Sequence, residues 1–390
     1  MKQVVECAWE SLNKAGEELC GDTVRLAATP SSFIVVLSDG LGSGVKANIL
    51  STLTAQIAIS MFQQGASVHE VMETLIETLP ECRERKLAYA TFAMLRVYHG
   101  REAYLVEYDS PPLILVRRGN LVELPMEELT VHERTVREAR FTLELGDYMV
   151  LISDGYEHAG VGGLYRLGWG WQNIAIAVKR WVQTGCDAFE LAQVLARTAQ
   201  KLYNGQPGDD ATVVAMRVRA AVAVTVWSGP PADPSLDEAA VHKLLAAEGI
   251  KVICGGTTAQ IAARVMGREL KVQWVPPSKR LGPPRKKGTP PIAHLEGVDL
   301  VTEGILTLGQ TIDLLEKAET IHDLPKDDDA ATQLARILLS ADAVHLIIGR
   351  AINPSQVADL VRGEPMRQVY VKQLLRELER RQKQVTIEYL

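Results

Sequence analysis

The sequence predicts an α/β protein built in two parts, and three observations carry that prediction. Up to residue 219 the apolar patterning runs as strands, two helices, strands and two helices, an order that suits two packed sheets with helical pairs outside. From residue 220 onward strand-like and helix-like stretches alternate, as in a three-layer α/β domain with a mostly parallel sheet. The length of 390 residues, with 47% hydrophobic and 23% charged, is enough to bury two cores.

In the first part, residues 23–28 and 33–38 read as a strand pair around the turn-forming Thr29-Pro30-Ser31-Ser32. A long helix follows Gly44, with Ala47, Leu50, Leu53, Ile57 and Met61 at helical spacing, and Gly65 ends it. A second helix fits 68–79 and stops at Pro80. Strands fit 91–97, 103–108, 113–117 and 121–124, with Gly100 and Arg118-Gly119-Asn120 at the hairpin turns. Helices fit 171–183 and 188–203. The second part begins with a strand at 220–227. It continues through a helix at 236–248, a strand at 251–254, a helix at 258–266 and a strand at 270–275. Helices near 307–318 and 330–340 precede a strand at 343–348. Residues 367–384 read as an amphipathic helix whose Val371, Leu374, Leu375 and Leu378 pack on its own domain. Residues 276–291 hold six of the 18 prolines together with Lys279, Arg280, Arg285, Lys286 and Lys287. Neither helix nor sheet persists through such a segment, so a mobile, solvated loop is expected.

Composition narrows the function. A net charge of −6 argues against a nucleic-acid binder. The five cysteines (Cys7, Cys20, Cys82, Cys186, Cys254) are scattered without a C-x-x-C pair, as expected for reduced, buried thiols in a cytoplasmic protein. The most apolar long stretch, 49–62, is broken by Ser51, Thr52, Thr54, Gln56 and Ser60, so no membrane span is expected.

The chemistry concentrates where apolar strands run out. Asp39 follows Phe33-Ile34-Val35-Val36-Leu37-Ser38 and precedes Gly40; Asp154 follows Met149-Val150-Leu151-Ile152-Ser153 and precedes Gly155. Asp209 and Asp210 open a third apolar run, Ala211-Thr212-Val213-Val214. One Asp-Gly after a strand marks a turn. Two Ser-Asp-Gly strand ends and an Asp-Asp strand start together suggest carboxylates converging on a hard divalent cation, which takes oxygen ligands from separate chain segments.

With Cys20-Gly21-Asp22, Leu37-Ser38-Asp39-Gly40-Leu41-Gly42-Ser43-Gly44, Ile152-Ser153-Asp154-Gly155 and Gly208-Asp209-Asp210-Ala211-Thr212 in this order, residues 1–219 resemble the metal-dependent protein phosphatase (PPM) family in its bacterial sporulation-stage-II-E type. The resemblance implies an αββα sandwich and a serine/threonine phosphoprotein phosphatase using two Mn²⁺ or Mg²⁺ ions. It implies Asp39 as the bridge between the ions, with the Gly40 carbonyl on the first. Asp154 and Asp209 would anchor the second ion and Asp22 would act through water, while Asp210 would stand beside the ligands. The implied substrates are phosphorylated proteins of the anti-sigma-antagonist type. A rival expectation is a non-catalytic signalling scaffold, which would have no use for four metal carboxylates. His158 stands where relatives commonly carry an acid.

Residues 220–390 resemble no family. There Cys254-Gly255-Gly256-Thr257-Thr258 follows a strand and opens a helix. Gly255, Gly256, Thr257 and Thr258 either cradle a small anionic ligand on free helix amides or simply cap the helix through a threonine. The domain is expected to sense a ligand or bind a partner.

Overall fold

The computed structural model describes residues 2–29, 31–78, 90–132, 134–163, 165–273, 291–351, 360–361 and 364–390. All of the proline-rich segment 276–291 except Pro291 lies outside them, as does Cys82. The chain divides into two compact units, Met1–Ala220 and Ala221–Leu390.

The first unit runs β1 (Gln3–Leu12), β2 (Asp22–Ala28), β3 (Ser32–Gly40), α1 (Gly44–Gln63), α2 (Val68–Thr78), β4 (Ala90–Tyr98), β5 (Glu102–Tyr108) and β6 (Ile114–Arg117). It continues with β7 (Asn120–Val122), β8 (Glu127–Val131), β9 (Arg134–Thr142), β10 (Tyr148–Ile152), α3 (Asp154–His158), α4 (Trp171–Val182), α5 (Ala188–Leu202) and β11 (Ala211–Ala220). Two antiparallel sheets result, in the orders β1-β11-β10-β6-β7 and β2-β3-β4-β5-β9-β8. Period-two alternation sorts each strand's side chains to two faces. Val35, Leu37, Leu95 and Leu105 of one sheet thereby share a core with Leu115, Met149, Leu151 and Val214 of the other. Their opposite faces are covered separately, Val36 and Met94 by Phe62 of α1 and Met72 of α2, and Val150 and Val213 by Val178 of α4 and Leu195 of α5.

Two details depart from expectation. The N-terminal residues form β1, which pairs along its whole length with β11; its side chains are half-buried or exposed, which weakens the apolar signal. The long helix buries only part of the expected stripe: Ala47 is buried and Ile57 and Met61 pack at the margin of the core. Ala47, Ser51, Thr54, Ala55, Ala58, Ile59 and Phe62 face the sheet, whereas Leu53, Ile49 and Val45 are exposed. Small residues let the helix lie close to the strands. The Thr23 hydroxyl reaches the Ser51 hydroxyl at 2.8 Å and that of Thr52 at 3.1 Å, so polar groups inside this contact find partners.

The second unit runs β12 (Ala223–Ser228), α6 (Asp237–Ala246), β13 (Ile250–Cys254), α7 (Gly256–Met266), β14 (Lys271–Gln273), β15 (Ile292–Leu295) and β16 (Val298–Thr302). It continues with α8 (Ile305–Leu315), α9 (Ala330–Ser340), β17 (Ala343–Ile348), β18 (Leu360–Val361), β19 (Glu364–Pro365), α10 (Met366–Arg380) and β20 (Gln384–Tyr389). Its seven-stranded sheet is mixed but mostly parallel, in the order β14-β15-β16-β13-β12-β17-β20. β16, β13, β12, β17 and β20 are parallel, and β14 and β15 join antiparallel at one edge. One face packs Trp227 and Ile253 against Val241 of α6 and Ala262 of α7. The other packs Val226, Val252 and Leu346 against α8, α9 and α10. Val371, Leu374 and Leu378 lie in that core with Leu375 at its margin, so the terminal stripe serves its own unit. That helix stops at Arg380, and residues 384–389 form β20 beside β17 instead of extending it.

Among the described residues no helix is long and apolar enough to cross a membrane. Cys7, Cys20, Cys186 and Cys254 are free thiols, the first two half-buried and the others buried.

Candidate functional site

The strand ends singled out by sequence converge in the first unit. β2 and β3 pair with Asp22 directly opposite Asp39. In the other sheet Ile152 is opposite Val213, so Ser153-Asp154 leaves β10 next to the Asp209-Asp210 entry to β11. Ser153 joins the two sheets. Its Oγ donates to Asp22 Oδ2 at 2.7 Å and accepts the Thr212 N–H at 2.8 Å, while its own N–H donates to the Thr212 carbonyl at 2.9 Å. Asp154 opens α3, and its charge is among those that act on the Asp39 carboxyl. Asp154, His158 and Asp209 bring carboxylate and imidazole atoms within 4.8 Å of one another.

Backbone packing fixes these positions. A side chain at Gly40 would place its Cβ 2.1 Å from the Ala47 carbonyl oxygen, so only glycine lets α1 lie against the end of β3. The Gly155 carbonyl accepts the Tyr203 hydroxyl at 2.6 Å, which ties α3 to the end of α5. Gly42 and Gly44 both adopt positive φ, +104° and +68°. The entry to α1 is occupied by the chain itself: Ser43 Oγ donates to Glu17 Oε1 at 3.1 Å, and a Cβ at Gly44 would meet the other Glu17 oxygen.

The two neighbouring aspartates divide. Asp209 is half-buried, near Asp154 and His158, with Lys14 Nζ at 3.9 Å. Asp210 is buried; one oxygen accepts the Lys14 N–H at 2.9 Å and the other has no hydrogen-bond partner. Asp22 likewise leaves Oδ1 buried and unpartnered.

Electrostatics follow from crowding. Burial, then the charges of Asp22 and Asp154, push the Asp39 carboxyl up to about 10. Burial raises Asp22 to about 7, against the pull of the hydrogen bond from Ser153. Burial and then Asp154 also raise Asp209. Anionic oxygens gathered from four chain segments, two of them buried without a partner, fit a hard divalent cation as the missing counter-charge.

In the second unit, α7 begins at Gly256 with Gly255 as its N-cap, φ +137°, and no side chain caps it. Neither threonine therefore plays the capping part. Thr257 is exposed, and Thr258 is buried with its hydroxyl unpartnered.

Ser153, Lys14 and Tyr203 escaped the sequence reading. Ser153 was visible as the residue before Asp154, but its reach to Asp22 depends on how the two sheets face each other. Lys14 and Tyr203 lie in a loop and at a helix end with no motif around them.

Residues 29–219 match the family model of stage II sporulation protein E (SpoIIE). Among solved structures, the phosphatase domain of the cell fate determinant SpoIIE from Bacillus subtilis, in a crystal form without domain swapping, is 20% identical with a TM-score of 0.43; the match covers 56% of this chain and 93% of that one. The same phosphatase domain with a fragment of its regulatory domain gives 19% identity and a TM-score of 0.47, covering 56% of this chain and 64% of that one. The RsbU and RsbW domains of a Mycobacterium tuberculosis protein give 18% and 0.44, covering 62% and 67%. No curated protein matches the chain. Over residues 29–219, a span that carries Asp39, Asp154 and Asp209 but not Asp22, the chain thus resembles the stage II sporulation protein E family.

Proposed function

We propose that residues 1–219 are a metal-dependent serine/threonine phosphoprotein phosphatase of αββα architecture and that residues 220–390 regulate it. The observation that carries this reading is the convergence of Asp22, Asp39, Asp154 and Asp209 from separate chain segments, with Ser153 linking the two sheets. The family match over residues 29–219 supports it, as does the shared core between the sheets with helices on their outer faces.

Asp39 and the Gly40 carbonyl would hold one of two Mn²⁺ or Mg²⁺ ions, Asp39 reaching both; Asp154 and Asp209 would hold the second, and Asp22 would act through water. When bound, such a pair neutralises phosphoryl oxygens and acidifies a water for attack on phosphorus. The chain's own part is to keep these carboxylates together and to release the protons that Asp22 and Asp39 hold before loading. Ser153 fixes the Asp22 carboxylate by donating to one oxygen, which leaves the other available. Phosphorylated proteins of the anti-sigma-antagonist type are the proposed substrates, on the strength of the family resemblance.

The test is hydrolysis of a phosphoserine protein and of p-nitrophenyl phosphate by the full chain. EDTA should silence it and Mn²⁺ or Mg²⁺ should restore it. Asp39→Asn should lose at least ~10²-fold in rate, about 2.7 kcal/mol of barrier. Near-native turnover by that variant, full activity in EDTA, or restoration by Zn²⁺ alone would overturn the reading.

A further inference from the structure

The parallel strands of the second unit end side by side in glycine. Ser228 of β12 is in register with Cys254 of β13 and with Ile348 of β17, so Gly229, Gly255 and Gly349 follow at the same level on three adjacent strands. The order β16-β13-β12-β17-β20 reverses direction at β12, and the crevice at the carboxyl ends beside such a reversal is where open α/β sheets hold ligands.

The groups around this edge lack partners. Ser228 is 1% exposed and its hydroxyl makes no hydrogen bond. Thr258 is equally buried, its Oγ1 also makes none, and that atom lies 3.0 Å from where a Cβ at Gly255 would stand. It therefore points into the turn that opens α7, whose first amides have no intrahelical acceptor. The Arg367 guanidinium lies against Gly229, where a Cβ would be 2.3 Å from Nη1. That nitrogen makes two long contacts, 3.3 Å to the Gly349 carbonyl and 3.4 Å to that of Ala351. Among the described residues no carboxylate pairs with Arg367, and burial pulls its basicity down.

Loop bracing alone accounts poorly for this arginine. Among the described residues, two carbonyl contacts at the limit of hydrogen-bond length engage one nitrogen of its five-donor fork, and bracing carbonyls does not require a half-buried charge. A charge held out of water without a counter-ion is costly, and the cost is recovered when an anion arrives. A planar fork of donors, free helix amides and a side-chain-free backbone floor together suit the tetrahedral oxygens of a phosphate.

We propose that the carboxyl edge of β13, β12 and β17 binds a small molecule through a phosphate group, held by Arg367, Ser228, Thr258 and the first amides of α7. The site lies within the second unit and stands apart from the proposed phosphatase chemistry.

The experiment is equilibrium dialysis of the full chain in EDTA against radiolabelled inorganic phosphate, AMP and ADP. Saturable binding of at least one probe is expected. Arg367→Gln should weaken it at least about tenfold. Gly256→Val should do the same without unfolding the chain, because a Cβ there meets no atom within 4 Å. Asp39→Asn should leave the binding unchanged. Tighter binding of AMP or ADP than of phosphate would assign a nucleotide, and equal binding would assign the phosphate group alone; either supports the site. No saturable binding of any probe overturns the proposal. So does binding that survives both Arg367→Gln and Gly256→Val, or that disappears only in Asp39→Asn.

Discussion

At the strand ends of the first unit, Asp22, Asp39, Asp154 and Asp209 crowd together with no cation among the described residues except Lys14 Nζ, 3.9 Å from Asp209. At the strand ends of the second unit, Arg367 is half-buried, and among the described residues no carboxylate pairs with it. Each edge leaves polar atoms unpartnered: Asp22 Oδ1 and Asp210 Oδ2 in one, Ser228 Oγ and Thr258 Oγ1 in the other, where the Glu303 carboxylate, next to Gly255, turns to the first amides of α8. Buried groups of one sign oppose folding unless something outside the chain completes them. The contrast teaches that the two proposals ask for opposite partners. The first edge would take a cation and the second an anion.

The largest expected effect tests the acidic half of this contrast. Asp22 and Asp39 hold protons up to about 7 and about 10, far above their ordinary 3.8. The folded chain therefore binds protons that the unfolded chain has already released. In EDTA, the unfolding free energy of the full chain should fall as pH rises from about 4 through 7 towards 10. Mn²⁺ should offset part of the loss, by about 2.7 kcal/mol at a hundredfold excess over Kd. Urea melts of the first unit's transition at pH 5, 7 and 9, with and without Mn²⁺, measure it. A flat profile without metal would break the comparison.

A smaller effect is expected from Ser153→Ala. The change removes the donor to Asp22 and the acceptor of the Thr212 N–H in a buried setting, and should cost about 1–3 kcal/mol. Chemical denaturation gives the cost. A metal titration shows whether Asp22 has also lost its orientation, as a weaker Mn²⁺ affinity.

The smallest effect comes from the basic half. Arg367→Met keeps much of the side-chain stem and deletes the unpaired charge. Without ligand, the melt of the second unit should change by less than about 1 kcal/mol, because lost carbonyl contacts and relieved burial of charge oppose each other. A drop of several kcal/mol would make Arg367 a structural brace and remove the symmetry between the two edges.

Much of the first site was legible in sequence because its markers are local. Ser38-Asp39-Gly40 and Ser153-Asp154-Gly155 each close an apolar run, and the strands observed at Ser32–Gly40 and Tyr148–Ile152 end there. The buried face of α1 was less legible. In its first half Val45, Ile49 and Leu53 are exposed while Ala47, Ser51, Thr54 and Ala58 face the sheet, so apolar spacing marked the buried face only in part. In the second unit the glycine after each strand was visible singly. Their alignment depends on a strand order that the sequence does not state, and Arg367 reaches Gly229 from a helix far along the chain. β20 was missed although Val385, Ile387 and Tyr389 alternate with Thr386 and Glu388, because the helical reading of the stripe before it extends through residue 384; the strand pairs with β17.

The bridge through Ser153 has a consequence for isotope exchange. The Thr212 amide is shielded by a hydroxyl oxygen whose hydrogen is directed at Asp22. When that carboxylate gains or loses a proton, the hydroxyl is held more or less firmly, and the amide on the neighbouring strand feels the difference. Deuterium uptake at this one backbone position then becomes a reporter of the acidic cluster, readable without any substrate and from the sheet opposite Asp22.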